Sequence, residues 1–408
     1  MFKRLKNIVS KRKSEYFVDI NEFDEDPLGW SRELCEHQLG EFSMAAVQAN
    51  GNMEDRCQLE VGTKALFVGI YDGHKGDITS NIMSNTLFQD LLWYINENGT
   101  NMSEDILKTV VAETEGEFML DVEEGYQQQP ELGIVGSSCL FCIIWKGRLY
   151  IANLGDSRAV MGSVGGPFNR LCVRQLVRDH NARNEDIRLE LMNLHRDDPN
   201  IVTFNFNAWH VKGISEVSRC IGHAYLKREP FILSSPFQAP ESERVPSPFT
   251  RPLLSAEPAI HSRVLNNSDK FIIFGSGGLW KLLTNKQAAK IVKTNPRDGI
   301  AKRLVRIALE IAARRRNISY TELRGIPKGR GVSRAPSVSV EGTRREYHDD
   351  ITVIVVFFDK EPNRNQTATP AIISVPGVNS FRGFSDTIQP SSFMYFDAPE
   401  IAAYEVIY

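Results

Sequence analysis

The stretch Phe67-Val68-Gly69-Ile70-Tyr71-Asp72-Gly73-His74-Lys75-Gly76 constrains this chain more than any other. An apolar run broken by a single glycine ends in an acid, a glycine and a histidine, the pattern of a buried strand delivering polar groups to a sheet edge. Hard divalent cations prefer oxygen ligands, and a glycine beside the carboxylate lets the backbone carbonyl approach the same ion. Asp72 and Gly73 are therefore candidate metal ligands; an Asx-type turn after a strand is the alternative reading. Acidic pairs also stand upstream, Glu54-Asp55, and downstream, Asp349-Asp350, the latter running into the strand-like Ile351-Thr352-Val353-Ile354-Val355-Val356-Phe357-Phe358. Carboxylates from three distant segments, each abutting strand sequence, suit a two-metal centre in which a bridging water becomes the nucleophile.

The 408 residues, 42% hydrophobic and 24% charged, have an ordinary globular composition with room for one large or two ordinary domains. A net charge of -3 spread along the chain argues against nucleic-acid binding. No window reaches the ~18 to 20 apolar residues of a membrane-spanning helix, and the N-terminus lacks the apolar core of a secretory leader. Six cysteines, Cys35, Cys57, Cys139, Cys142, Cys172 and Cys220, form no extracellular framework. Cys139 and Cys142 share the spacing of a metal or redox pair, yet they lie in a strand-like run, where residues three apart face opposite sides. Both are expected to be buried and structural. A reducing compartment follows, cytoplasmic or nuclear, with no secretion.

Residues 1–14 place Phe2, Leu5, Ile8 and Val9 at helical spacing among six basic residues. Such a segment suits peripheral binding to an anionic plasma membrane, a nuclear-import patch, or a solvated tail. The expected organisation is a basic N-terminal segment and lead-in over residues 1–40, one domain over 41–360, and a tail rich in Pro, Ser and Asn over 361–408. Helices are expected over residues 80–96, 106–126, to 194 after His180-Asn181, after Thr284, and over 299–316. Residues 324–346 bring Ser333, Ser337 and Ser339 among basic residues, either an inert insertion or a phosphorylation segment.

Together with the acidic segments, Gly136-Ser137-Ser138, Ala152-Asn153-Leu154-Gly155-Asp156-Ser157-Arg158-Ala159-Val160, Val217-Ser218-Arg219 and Ser276-Gly277-Gly278-Leu279-Trp280 follow an order that resembles the type 2C, metal-dependent protein Ser/Thr phosphatases. Phe42-Ser43-Met44-Ala45-Ala46-Val47-Gln48-Ala49-Asn50 and His348-Asp349-Asp350 look like the plant subgroup called clade D. The resemblance implies an α/β fold, a four-layer αββα sandwich of two antiparallel sheets flanked by helices. It implies two Mn2+ or Mg2+ ions, with Asp72 bridging them, Gly73 lending its carbonyl, Glu54 orienting waters and Asp349 holding one ion. His74 is implied as the general acid that protonates the leaving oxygen. Asn50 stands where most of the family has a phosphate-binding arginine, a change the subgroup tolerates. Asp156 lies near the family's metal centre, while its spacing equally suits a bend cap. The implied partners are phosphorylated proteins, by analogy plasma-membrane proteins such as the proton pump or receptor kinases, met by a monomer.

Departures from the family pattern cluster around one corner. Gly277 replaces the acid expected to share an ion with Asp349, and four positions on Lys281 replaces another acid. Gly222-His223 stands for Gly-Asp, and Lys75-Gly76 for Gly-Gly. The expectation is that the weaker ion is bound poorly or not at all, leaving one ion and low or absent activity: a reduced phosphatase or, alternatively, an inactive pseudophosphatase that binds phosphoproteins or kinases. The opposing reading has His223 ligating a metal and Lys281 contacting phosphate.

Overall fold

The computed structural model describes residues 21–24, 26–63, 65–165, 169–231, 249, 251–329, 342–359, 372–376, 378–379, 383–384 and 389–394. Two antiparallel sheets lie at its centre. The first runs β1-β2-β14-β13-β7-β8, built from β1 (Gly29–His37), β2 (Gly40–Val47), β7 (Arg158–Gly165), β8 (Arg170–Gln175), β13 (Asp269–Gly275) and β14 (Ile351–Phe357). The second runs β12-β6-β5-β4-β3-β15, from β3 (Arg56–Val61), β4 (Ala65–His74), β5 (Gly136–Trp145), β6 (Arg148–Leu154), β12 (Ala259–Val264) and β15 (Ile373–Pro376). A hairpin of β9 (Val202–Asn205) and β10 (Ala208–Val211) stands apart, and the short β11 (Ile221–Gly222) pairs with β5.

The apolar side chains sort into three layers, which is why the molecule has four. Phe42, Met44, Leu59, Val68, Ile70, Leu140, Ile151, Met161, Phe274 and Val356 fill the space between the sheets. Phe67, Tyr71, Leu87, Phe88, Leu91, Val110, Phe118 and Phe141 join the second sheet to α2 (Ile78–Glu97) and α3 (Glu104–Gly125). Phe271, Ile273, Val353, Val355, Ala288, Ile291, Leu304 and Ala308 join the first sheet to α6 (Asn285–Thr294) and α7 (Ile300–Arg315). A short α1 (Asn21–Asp24) also packs there through Phe23. Strand alternation does the sorting: Phe67 and Val68, or Ile354 and Val355, are neighbours that face opposite layers. At about 1.5–3 kcal/mol per buried large apolar side chain, these layers dominate the stabilisation. The αββα sandwich implied by the sequence is the architecture observed.

Cys139 faces the helical layer and Cys142 the inter-sheet layer, so the two thiols do not share a side, and burial pushes both upward in pKa. Helix starts follow local chemistry. Ser103 accepts from Ile106 N–H to cap α3, and Thr284 forms a capping box with Gln287 at α6. The helix α4 (Glu185–Leu194) lies between β8 and β9, and the single turn α5 (Gly277–Trp280) between β13 and α6; α8 (Tyr320–Gly325) follows α7. Beyond residue 360, β15 pairs with β3, and Phe393 is buried against Phe88 and Trp145. Residues 1–14, 330–341 and Tyr404–Tyr408 lie outside the described residues. Among the described residues no helix is long and apolar enough to cross a membrane.

Candidate active site

Register brings the predicted residues to one edge of the sandwich. The pairing of β4 with β5 sets Asp72 opposite Ser138, Gly73 opposite Ser137 and His74 opposite Gly136. In the other sheet Ile351 pairs with Val47, which places Asp349 and Asp350 beside the chain leaving β2. Asp350 is a structural tie: its Oδ1 accepts from Ala49 N–H (2.6 Å) and Asn50 N–H (3.0 Å), and its Oδ2 from Glu54 N–H (2.7 Å). Asp55 accepts from the Thr352 hydroxyl at 2.8 Å. These bonds fasten the Glu54 corner to the end of the other sheet.

Gly73 is held tightly, since a Cβ there would lie 2.5 Å from the Glu54 carbonyl and 2.9 Å from Ser80 Oγ. Asp72 Oδ2 accepts from Gly277 N–H at 2.8 Å, and Asp72 Oδ1 lies 3.7 Å from His74 Nε2. Asp156 flanks the same point. A Cβ on Gly277 would stand 2.7 Å from Asp156 Oδ1 and 3.0 Å from Asp72 Oδ2. A side chain at position 277 would thus point between those two acids, and the backbone N–H of the same residue already donates to Asp72. Asp156 Oδ2 also accepts from Asn181 Nδ2 at 2.9 Å, which orients it.

Asp349 is where the site departs most from a metal centre. Its Oδ2 accepts from Lys281 Nζ at 3.3 Å, and its Oδ1 is ion-paired with Arg345. Asn50 Nδ2 adds a longer contact to the same Oδ1 at 3.4 Å and one to Glu54 Oε2 at 3.3 Å. Burial opposes the charge on Asp349, but Arg345 and Lys281 outweigh it and hold the carboxyl well below the usual range. Lys281 responds in kind: burial disfavours its charge, yet Asp349, Asp156 and Glu216 raise its pKa. Glu54, by contrast, is pushed up to about 8 by burial and by Asp350, Asp349 and Asp72. Burial, with Asp156 and Asp349 nearby, also raises Asp72 well above an ordinary aspartate.

His74 is held near its neutral form by burial, against the pull of Asp156 and Asp349. Its ring is stacked on His223, centroids 5.6 Å apart and planes 11° from parallel. His223 Nδ1 donates to the Ile134 carbonyl at 2.7 Å, and a Cβ on Gly136 would strike the ring at 2.4 Å. His223 therefore packs on the histidine and pairs with the backbone.

The donor set does not fit a two-ion centre. Both oxygens of Asp349 are engaged by protein cations, Gly277 offers no carboxylate, and among the described residues no three His, Cys, Asp or Glu side chains are arranged around one cation. Sequence reasoning missed Arg345. It reaches Asp349 because its neighbour Arg344, fully buried, donates to Asp26 Oδ1 at 2.8 Å and is ion-paired with that carboxylate. A basic residue four before Asp349 was the only signal in the chain.

The protein phosphatase 2C family profile matches residues 37–317, and the chain belongs to that family. The family is generally dependent on Mn or Mg. Among curated proteins, the chain is 46% identical to "Probable protein phosphatase 2C 43" of Oryza sativa subsp. japonica, covering 90% of this chain and 89% of that one. It is 45% identical to "Probable protein phosphatase 2C 68" of Arabidopsis thaliana, covering 91% and 89%. A serine-threonine phosphatase 2C from Toxoplasma gondii shares the fold, with a TM-score of 0.55 at 18% identity over 82% of this chain and 100% of that one.

Proposed function

We propose that this chain acts on phosphoserine and phosphothreonine in proteins and that its hydrolytic turnover is reduced or lost relative to its family. The observation that carries the reading is the double engagement of Asp349 by Lys281 and Arg345, beside a Gly277 that supplies no acid. Loss of a directly coordinating carboxylate should exceed the roughly 10- to 100-fold cost of disturbing an outer ligand partner. At about 4 Å and an effective dielectric of 20, each unit charge opposing a cation counts for about 4 kcal/mol before relaxation. Asp72, Gly73, Glu54 and His74 remain at the site edge, but burial holds His74 toward its neutral form, which works against its donating to a leaving oxygen and fits a reduced turnover. The second reading, a pseudophosphatase that binds phosphoproteins without turnover, is favoured by the same ion pairs.

Further parts of the reading follow the motifs: membership of the plant clade D subgroup, a phosphatase-type domain over residues 41–360 with a separate tail, phosphoprotein partners at the plasma membrane, and a cytoplasmic or nuclear location. The test is hydrolysis of a phosphothreonine peptide with Mn2+ by the natural chain, by Gly277→Asp with Lys281→Glu, and by Asp72→Ala as blank. We expect the natural chain near the blank and the double variant above it. Equal activity of natural and double-variant proteins would contradict the reduced-turnover reading.

A further inference from the structure

Lys281 and Arg345 bring two positive charges into a site whose family places divalent ions there, and both charges converge on one carboxylate. Because they grip opposite oxygens of Asp349, their heads are held within the span of a single bridging anion. Neither is spent. The Lys281 side chain is 33% exposed and makes one loose bond of 3.3 Å to Asp349; an ammonium has three N–H donors. The Arg345 side chain is 48% exposed, and a guanidinium offers five donors in a planar fork that matches phosphate oxygens. Arg345 is also pre-positioned, since buried Arg344 beside it is locked to Asp26. The position where much of the family has an arginine is Asn50, which here donates toward Glu54 and Asp349.

We infer that Lys281 and Arg345 form a metal-independent binding site for a phosphate monoester, with Asp349 acting as the scaffold that holds the two cationic heads apart and facing solvent. The ligand class is the phosphorylated serine or threonine side chain, so the inference deepens the phosphoprotein reading above and rests on it. Two positive charges, one of them offset by the ionised Asp349, leave about one net positive charge against the ≈ -1.5 to -2 charge of such a group, so the converging N–H donors carry the rest of the recognition. In this chain the protein's own cations take over phosphate recognition, which separates binding from divalent ions.

The test is fluorescence anisotropy of a labelled phosphothreonine peptide, and of its unphosphorylated counterpart, with the full chain in EDTA. The phosphopeptide should bind at least about tenfold more tightly, as charge-assisted bonds require, and inorganic phosphate should displace it. Lys281→Gln with Arg345→Gln should remove that preference while circular dichroism and the melting curve show a folded protein. If that variant does not fold, Lys281→Gln alone and competition by inorganic phosphate on the natural chain carry the test. Binding in EDTA that survives the double variant overturns the site, as does binding that appears only with Mn2+, which would leave the phosphoprotein reading standing. No binding by the folded natural chain under either condition would overturn both.

Discussion

At position 277 glycine leaves no carboxylate between Asp72 and Asp156, while the backbone N–H of the same residue donates to Asp72. Lys281 compounds the change by pairing with Asp349. Restoring both acids should therefore restore a cation requirement for stability as well as for chemistry, because gathered carboxylates repel until a cation joins them. Mn2+ should raise the melting temperature of the Gly277→Asp, Lys281→Glu protein and leave that of the natural chain nearly unchanged; equal shifts would contradict this. Asp72, Glu54 and Asp349 were legible as a cluster because each abuts strand sequence, so their strands had to carry them to a common edge. Arg345 was not legible, because its reach depends on Arg344 finding Asp26, a partner 318 positions away in the chain.

Elements carry the second set of tests. The Arg344–Asp26 pair is fully buried on both sides, and removing one partner of such a pair commonly costs about 3–5 kcal/mol because the other charge is stranded. Asp26→Ala should lower the unfolding free energy read from urea titration by an amount in that range and loosen the turn that carries Arg345. A loss below 1 kcal/mol would show that water replaces the missing partner. The cap at Thr284 is a smaller matter, about 1 kcal/mol for Thr284→Ala, readable in the same urea titrations. Helices α2, α3, α6 and α7 were legible from apolar spacing and capping residues, within a few positions at their ends. The strand β15 was hidden. Its composition reads as tail, it is only four residues long, and its position is fixed by pairing with β3 and by Phe393 entering the core.

For the whole molecule, the sandwich converts sequence alternation into three apolar layers, and the polar cost of that burial appears as an acid limit. His37 and His180 are buried, and burial lowers their pKa values to about 4 and about 3 from 6.5. A depressed folded-state value means the unfolded chain takes the proton first. The contribution is intact above about pH 6.5 and is lost as pH falls toward 4 and then 3, at ~1.4 kcal/mol per pK unit. Raised carboxyls such as Glu54 act in the opposite direction over the same range, so the difference is the test: from pH 7 to pH 5 the His37→Gln protein should gain stability relative to the natural chain, and parallel urea midpoints would contradict the assignment to His37. The order of strands within each sheet was not readable from the chain, because pairings such as Thr352 with Ala46 join segments some 300 residues apart.

The central claim is that protein cations stand where the family places metal ions, and counting bound Mn2+ by isothermal titration calorimetry tests it most directly. The natural chain should take up at most one ion per molecule, and Gly277→Asp with Lys281→Glu more. Two ions bound with similar affinity by the natural chain would contradict the account.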